Sequence, residues 1–285
     1  MMTSCMQTLE KVHIGFIGAG NMAQAIIHGL LSNGLSQNQV ACSNPSNGKL
    51  EALKQQYPNL TTSNHNRQVV ETSDIVIFAV KPQKLAAALT PLADQNFSNK
   101  LLISVAAGVE TETFSTLLKQ ELAVVRAMPN TPALIGQGAT GLFATESVNR
   151  QQKSQSETIF DAVGKSAWLE QEQQMDLVTA IAGSAPAYYF LFLEAIIDSA
   201  IAQGMDPKTA KLLASQTAFG ASSMVAQDLS QDIATLRTKV TSPGGTTAAA
   251  LASFEQSQFQ SIVDKAIKSA VNRGIELAKI AKEQL

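Results

Sequence analysis

Two hydrophobic patterns divide this chain. Up to Leu169, short apolar runs bounded by glycine, proline and polar clusters alternate with helical stretches. His13–Ile17, Gln39–Ser43, Asp74–Val80, Leu101–Val105, Ala123–Met128, Ala139–Ala144 and Ser166–Leu169 predict strands. Several are apolar almost throughout, the mark of parallel strands buried on both faces. Between them, Ala23–Leu31, Lys49–Gln56, a segment starting at Pro82, and Glu157–Val163 predict helices. From Gln171 onward the period is helical. Glu172–Ile181 forms one helix, and Ser184 caps a long apolar one with Pro186 in its first turn, ending before Gly204. Asp206-Pro207 opens another, with Ala210, Ala214 and Ala218 as a small-residue ridge. Asp232 caps a short helix to Lys239, and the chain is helical from Thr246 onward with one interruption. The pattern predicts an α/β domain over residues 1–170 and an all-helical domain over 171–285. Met1–Lys11 has neither period nor an apolar run and predicts a frayed tail.

Composition narrows the partners. A formal charge of −2 supplies no basic field for nucleic acid or an anionic membrane surface. No run approaches the roughly 18 apolar residues of a membrane span. Cys5 in the tail and Cys42 in a buried strand make no disulfide framework, so a cytoplasmic location is expected. Long apolar helices with small-residue ridges predict a homodimer built on the second domain, because a monomer would expose too much apolar surface.

The informative stretch is Val12–Gly29. After the first strand, Gly18-Ala19-Gly20-Asn21-Met22-Ala23 fits the G-x-G-x-x-G/A fingerprint of a Rossmann dinucleotide-binding domain. Gly18 allows the tight turn, Gly20 lets the backbone approach a pyrophosphate, and Ala23 keeps the helix near the sheet. The helix N-terminus then offers its N–H groups to the anion. An NAD site usually has an acidic residue at the end of the second strand, to hold the ribose 2′-hydroxyl. Here Ser43, Asn44 and Ser46 stand there with Lys49 nearby, which favours NADPH over NADH without excluding NADH. Ligands sit beyond the carboxyl ends of such strands, so Val80-Lys81 and Ala106-Ala107 should line the cleft. Lys81 either touches the nucleotide or is a surface lysine.

In the second half, Thr241-Ser242-Pro243-Gly244-Gly245-Thr246-Thr247 joins two helices. Two glycines and a cluster of hydroxyl residues at a helix start favour a carboxylate or phosphate site. Glu194 and Asp198 lie four apart on one helix face, and they read as a polar stripe. His13, His28 and His65 are scattered, and no metal motif is present.

These residues resemble the pyrroline-5-carboxylate reductase family. The likeness runs from about Val12 to the last helix. It rests on Gly18–Met22, Phe78–Pro82, Val125-Arg-Ala-Met-Pro-Asn-Thr-Pro132, Gly183-Ser-Ala-Pro-Ala-Tyr188 and Ser242–Thr247, in that order. The resemblance implies a Rossmann domain followed by a helical dimerisation domain, and NAD(P)H-dependent reduction of 1-pyrroline-5-carboxylate to L-proline. It places Ile17, Gly18, Ala19, Gly20, Asn21, Met22, Ser43, Asn66, Ala79, Val80, Lys81 and Ala107 at the cofactor, where the strand pattern adds Asn44. It gives Ser242, Gly244, Gly245, Thr246 and Thr247 to the substrate, with Thr247 the catalytic side chain at the ring nitrogen. The β-hydroxyacid dehydrogenases, a rival with the same two-domain plan, depend on a lysine that Gly183–Tyr189 lacks. A non-catalytic NADP sensor would have no need of the Ser242 loop.

Overall fold

The computed structural model describes residues 4–283. The side chain of Cys5 lies outside what is described. Eight strands form one sheet: β1 (Ile14–Ile17), β2 (Val40–Ser43), β3 (Thr61–Ser63), β4 (Ile75–Phe78), β5 (Leu101–Ser104), β6 (Ala123–Met128), β7 (Gly138–Ala144) and β8 (Gly164–Trp168). Their order is β3-β2-β1-β4-β5-β6-β7-β8, parallel except where β7 runs antiparallel to β6. β1, β4 and β5 alternate their side chains between two apolar cores. Ile14, Phe16, Ile75 and Ile77 join one, and Ile17, Val76 and Phe78 the other. Burial on both faces is the reason these strands read as unbroken apolar runs.

The helices in the first part of the chain are α1 (Asn21–Ser32), α2 (Asn47–Gln56), α3 (Asn66–Glu71), α4 (Leu85–Leu89), α5 (Glu112–Leu118), α6 (Arg150–Asp161) and α7 (Gln174–Val178). They continue as α8 (Ala185–Ala202), α9 (Pro207–Gln227), α10 (Ile233–Lys239), α11 (Thr246–Gln256) and α12 (Phe259–Glu283). The chain divides into two compact units, Met1–Ser184 with Ala270–Leu285, and Ala185–Ser269.

Five expectations need correction. The described part of the N-terminal segment is not frayed: Ser4–Leu9 is a 3-10 helix whose Met6 and Leu9 are buried in the first core, and residues 1–3 lie outside the described residues. It lies on α6, with Thr8 Oγ1 2.8 Å from Thr158 Oγ1. That packing also explains why α6 begins at Arg150 and not at Glu157. Its polar first turns lack apolar periodicity, but Asn149 and Gln152 form a reciprocal capping box. β3 is three residues long at the sheet edge, too short to show a pattern. Finally, α8 starts right after Ser184 as expected, but Ser184 is not its free N-cap. A π turn over Thr179–Gly183 joins α7 to α8, with Ser184 N–H donating to the Thr179 carbonyl at 2.8 Å. The joined Gln174–Ala202 stretch is long and apolar enough to cross a membrane by composition, whereas no such run was expected.

In the second unit, α9 and α10 start as the sequence predicts. Asp206 and Asp232 each accept from a backbone N–H three residues on, at 3.0 Å. The one interruption of the C-terminal helix falls at Ser257-Gln258, and Gln258 has φ 54°. Tyr189, Phe190, Leu191, Leu212 and Phe219 are among many large apolar side chains of α8 and α9 that this single chain leaves exposed.

Candidate functional site

Parallel register carries most of the predicted cofactor residues to one edge of the sheet. Ile17 pairs with Ser43 and with Phe78, and Phe78 pairs with Ser104. Gly18, Asn44, Ala79 and Val105 therefore leave the strands side by side. Gly18 has φ 103°, and a Cβ there would lie 2.7 Å from the Ala79 carbonyl oxygen, so only glycine fits. Its N–H donates to the Ser43 carbonyl at 2.8 Å. Gly20 is the N-cap of α1, with no side-chain acceptor and no acidic residue in the first turn. A Cβ at Gly20 would come no nearer than 3.9 Å to the protein's other atoms. The fold thus does not need glycine at position 20, whereas a ligand brought against the backbone there does. Ala23 is fully buried, which lets α1 sit close on the sheet.

At the end of β2 the polar residues divide their tasks. Ser43 is fully buried and donates its hydroxyl to Asn66 Oδ1 at 2.8 Å. Both residues therefore brace the cleft, and the Ser43 hydroxyl is not free for a ligand. Asn44 links the glycine loop to the next turn: its Oδ1 accepts from Ala19 N–H at 3.3 Å, and its Nδ2 donates to Ser46 Oγ at 2.9 Å. Lys49 is exposed at the start of α2. Ala79 and Val80 are half-buried, and Lys81 and Ala107 are exposed. Lys81 precedes a 3-10 turn opened by Pro82.

The second predicted cluster lies wholly in the second unit. Gly245 is the N-cap of α11 with φ −80° and ψ 174°, nearly the geometry of Gly20 at α1, with φ −73° and ψ 174°. It too has no side-chain acceptor, unlike the aspartate-capped α9 and α10. Gly244 has φ 70° and open space where a Cβ would stand. Among the described residues, the hydroxyls of Ser242, Thr246 and Thr247 make no hydrogen bond within the chain. Thr246 and Ser242 are exposed and Thr247 is half-buried. A helix N-terminus leaves its first N–H groups unpaired, so this turn offers donors and free hydroxyls to an anion. Asp232, the acidic residue of α10, is occupied. Its hydrogen bonds to the Thr235 hydroxyl and N–H hold its carboxyl below the usual range.

Three further polar residues of the first unit, each largely buried, have no role in the sequence reading. Arg126 on β6 pairs with Glu172 at 3.1 Å, both largely buried. Glu172 also accepts from the Thr111 N–H and hydroxyl, each at 2.8 Å, and so ties β6 to the end of the loop after β5. Asn130 accepts from Ala139 N–H at 2.9 Å and donates to the Ala182 carbonyl at 3.1 Å. A signal was present for Arg126: a charge inside an apolar strand has to have a buried partner.

Comparison with known proteins agrees with this arrangement. Residues 172–277 match the family model for pyrroline-5-carboxylate reductase dimerisation, and residues 13–108 match that for NADP oxidoreductase, coenzyme F420-dependent. A pyrroline-5-carboxylate reductase of Vibrio alginolyticus is 44% identical over 272 residues, covering 95% of this chain and 100% of the relative. The solved structure of such a reductase from Coxiella burnetii is 40% identical with TM-score 0.89, covering 93% of this chain and 98% of that one. The Plasmodium falciparum pyrroline carboxylate reductase, solved with NADP bound, is 30% identical with TM-score 0.81, covering 94% and 99%. With full-length likeness at this level, an open glycine-capped helix in each unit and the motifs in register, the chain belongs to the pyrroline-5-carboxylate reductase family.

Proposed function

We propose that this chain reduces 1-pyrroline-5-carboxylate to L-proline, the last step of proline biosynthesis, with NADPH as the preferred hydride donor and NADH as a weaker one. One observation carries the assignment of residues: α1 and α11 both start at a glycine N-cap without a side-chain acceptor, so each unit presents an unsatisfied helix N-terminus. The N–H groups of Asn21 and Met22 hold the pyrophosphate, as a helix start does for anions. Asn44 and Lys49 meet the ribose 2′-phosphate, braced by Ser43 and Asn66. Ile17–Gly20, Ala79–Lys81 and Ala107 form the wall of the cleft.

On the second unit, the N–H groups of Thr246 and Thr247 and the Ser242 hydroxyl hold the substrate carboxylate. Gly244 and Gly245 keep the approach clear. Bound NADPH supplies the hydride to the carbon of the C=N bond. The nitrogen gains a proton drawn from water as it becomes an amine, and the chain's own residues have to orient the ring and follow that change. Thr247 Oγ1, uncommitted within the chain, takes that place.

The dimerisation match from residue 172 supports a boundary near 170, with residues 1–170 binding the cofactor and 171–285 binding substrate and partner. The occupant of the exposed apolar faces of α8 and α9 is a second copy of the chain, and Gln174–Ala202 is the core of that homodimer, not a membrane span. The exposed apolar helices also allow such dimers to associate into larger oligomers. We place the enzyme in the cytoplasm on its sparse cysteines. The deciding experiment incubates the purified protein with pyrroline-5-carboxylate and NADPH, following NADPH oxidation and proline formation together. Absence of proline at any enzyme concentration overturns the assignment, and sedimentation of an active monomer overturns the dimer.

A further inference from the structure

We infer that Asn130 is a positioning residue for hydride transfer: its carboxamide sets the register of the π turn Thr179–Gly183 against the end of β6. This rests on the proposed reductase activity. In a regular α-helix the Ala182 carbonyl would accept from the N–H of residue 186. That residue is Pro186, which has none. In α register the carbonyl would thus be orphaned, and in the structure Asn130 Nδ2 donates to it at 3.1 Å.

The other end of the same side chain accepts from Ala139 N–H at 2.9 Å, so the carboxamide ties three segments together. Asn130 is buried, and only a group with a donor and an acceptor on one rigid plane satisfies both contacts. Aspartate keeps the bond to Ala139 but sets an oxygen against the Ala182 carbonyl. A second contact makes the register matter. A Cβ on Gly183 would come within 2.8 Å of Met128 Cε, so the last residue of β6 and the turn are packed face to face. β6 lies beside β5, with Arg126 opposite Ser104, and the chain past β5 is the Val105–Gly108 loop. Ala107 of that loop is assigned to the cofactor above. A turn that slipped from π to α register would move Gly183 against Met128, at the strand end next to this loop. π turns set into α-helices occur often at functional sites.

The test uses the full-length enzyme with Asn130→Asp and Asn130→Ala, each alone and combined with Pro186→Ala, which returns a helical N–H to the Ala182 carbonyl. kcat, KM for both substrates, NADPH affinity and Tm are measured, with Pro186→Ala alone as the reference for the double variants. Asn130→Ala is expected to lower kcat about 10- to 100-fold, the scale of a small misplacement of reacting groups. NADPH affinity should stay within about twofold, since the α1 N-terminus is untouched. Adding Pro186→Ala should recover Tm but not kcat, because the regained bond favours α over π register. Wild-type kcat in either single variant, or kcat returning together with Tm in the double variants, overturns the inference. If the single variants do not fold, the double variants against Pro186→Ala carry the same comparison. A wild-type enzyme that makes no proline would instead overturn the proposed function.

Discussion

Replacing Thr247 by alanine separates catalysis from helix capping. A threonine at a helix start commonly stabilises by capping, and its loss then costs about 1 kcal/mol. Here the N-cap of α11 is Gly245, and the Thr247 hydroxyl makes no hydrogen bond within the chain among the described residues. The substitution therefore removes no intrachain bond, and alanine is at least as good a helix former. Tm should hold or rise slightly. If the hydroxyl meets a ring nitrogen whose charge changes during reduction, the lost bond is worth about 1.5–3 kcal/mol. At one factor of ten per 1.36 kcal/mol, kcat/KM for pyrroline-5-carboxylate falls about 10- to 150-fold. Thr246→Ala is the internal control: it keeps the backbone N–H that holds the carboxylate and should cost less. Steady-state kinetics at saturating NADPH, with Tm and NADPH affinity measured on the same samples, provides the assay. Near-full kcat/KM in Thr247→Ala refutes the assignment, as does a loss of activity matched by a fall in Tm.

Three further outcomes are expected. β2 ends without an acidic residue and Lys49 stands exposed beside it, so kcat/KM should favour NADPH over NADH; Lys49→Ala should narrow that ratio by about fivefold at most, as an exposed charge contributes up to about 1 kcal/mol. Leu9 is fully buried in the first core, so Leu9→Ala should cost about 2–5 kcal/mol in denaturant unfolding, whereas an unchanged midpoint would restore the view of a frayed tail. Thr140 is the one residue among those described with a buried side-chain hydroxyl lacking a partner; Thr140→Val should stabilise by about 1–3 kcal/mol, and a lowered Tm would mean the hydroxyl has a partner after all.

The parts of the structure legible in the sequence are those where one physical demand acts alone. Strands buried on both faces have to be apolar, so β1, β4 and β5 announced themselves. A turn that brings backbone against backbone needs Gly18, and helices opened by Asp206 and Asp232 carry their caps in the chain. What stayed hidden depends on pairs of residues far apart. Ser4–Leu9 looks like a polar tail until α6 is beside it, and α6 looks too polar for a helix until that tail meets Gln155 and Thr158. Each conceals the other, because neither has enough apolar surface to show a period alone. The same holds at the site. Residues that touch a ligand through backbone N–H groups leave a trace as glycines, since glycine is what such an approach requires. Ser43 read as a ligand contact because its position is right, yet its hydroxyl is turned inward to Asn66, 23 residues away. Asn130 gave no sign by itself, though its partner did: a proline inside a helix orphans a carbonyl, and an orphaned buried carbonyl needs a donor from elsewhere. Proline within an apolar helix is thus a pointer to a distant amide, and here it leads from Pro186 to Asn130.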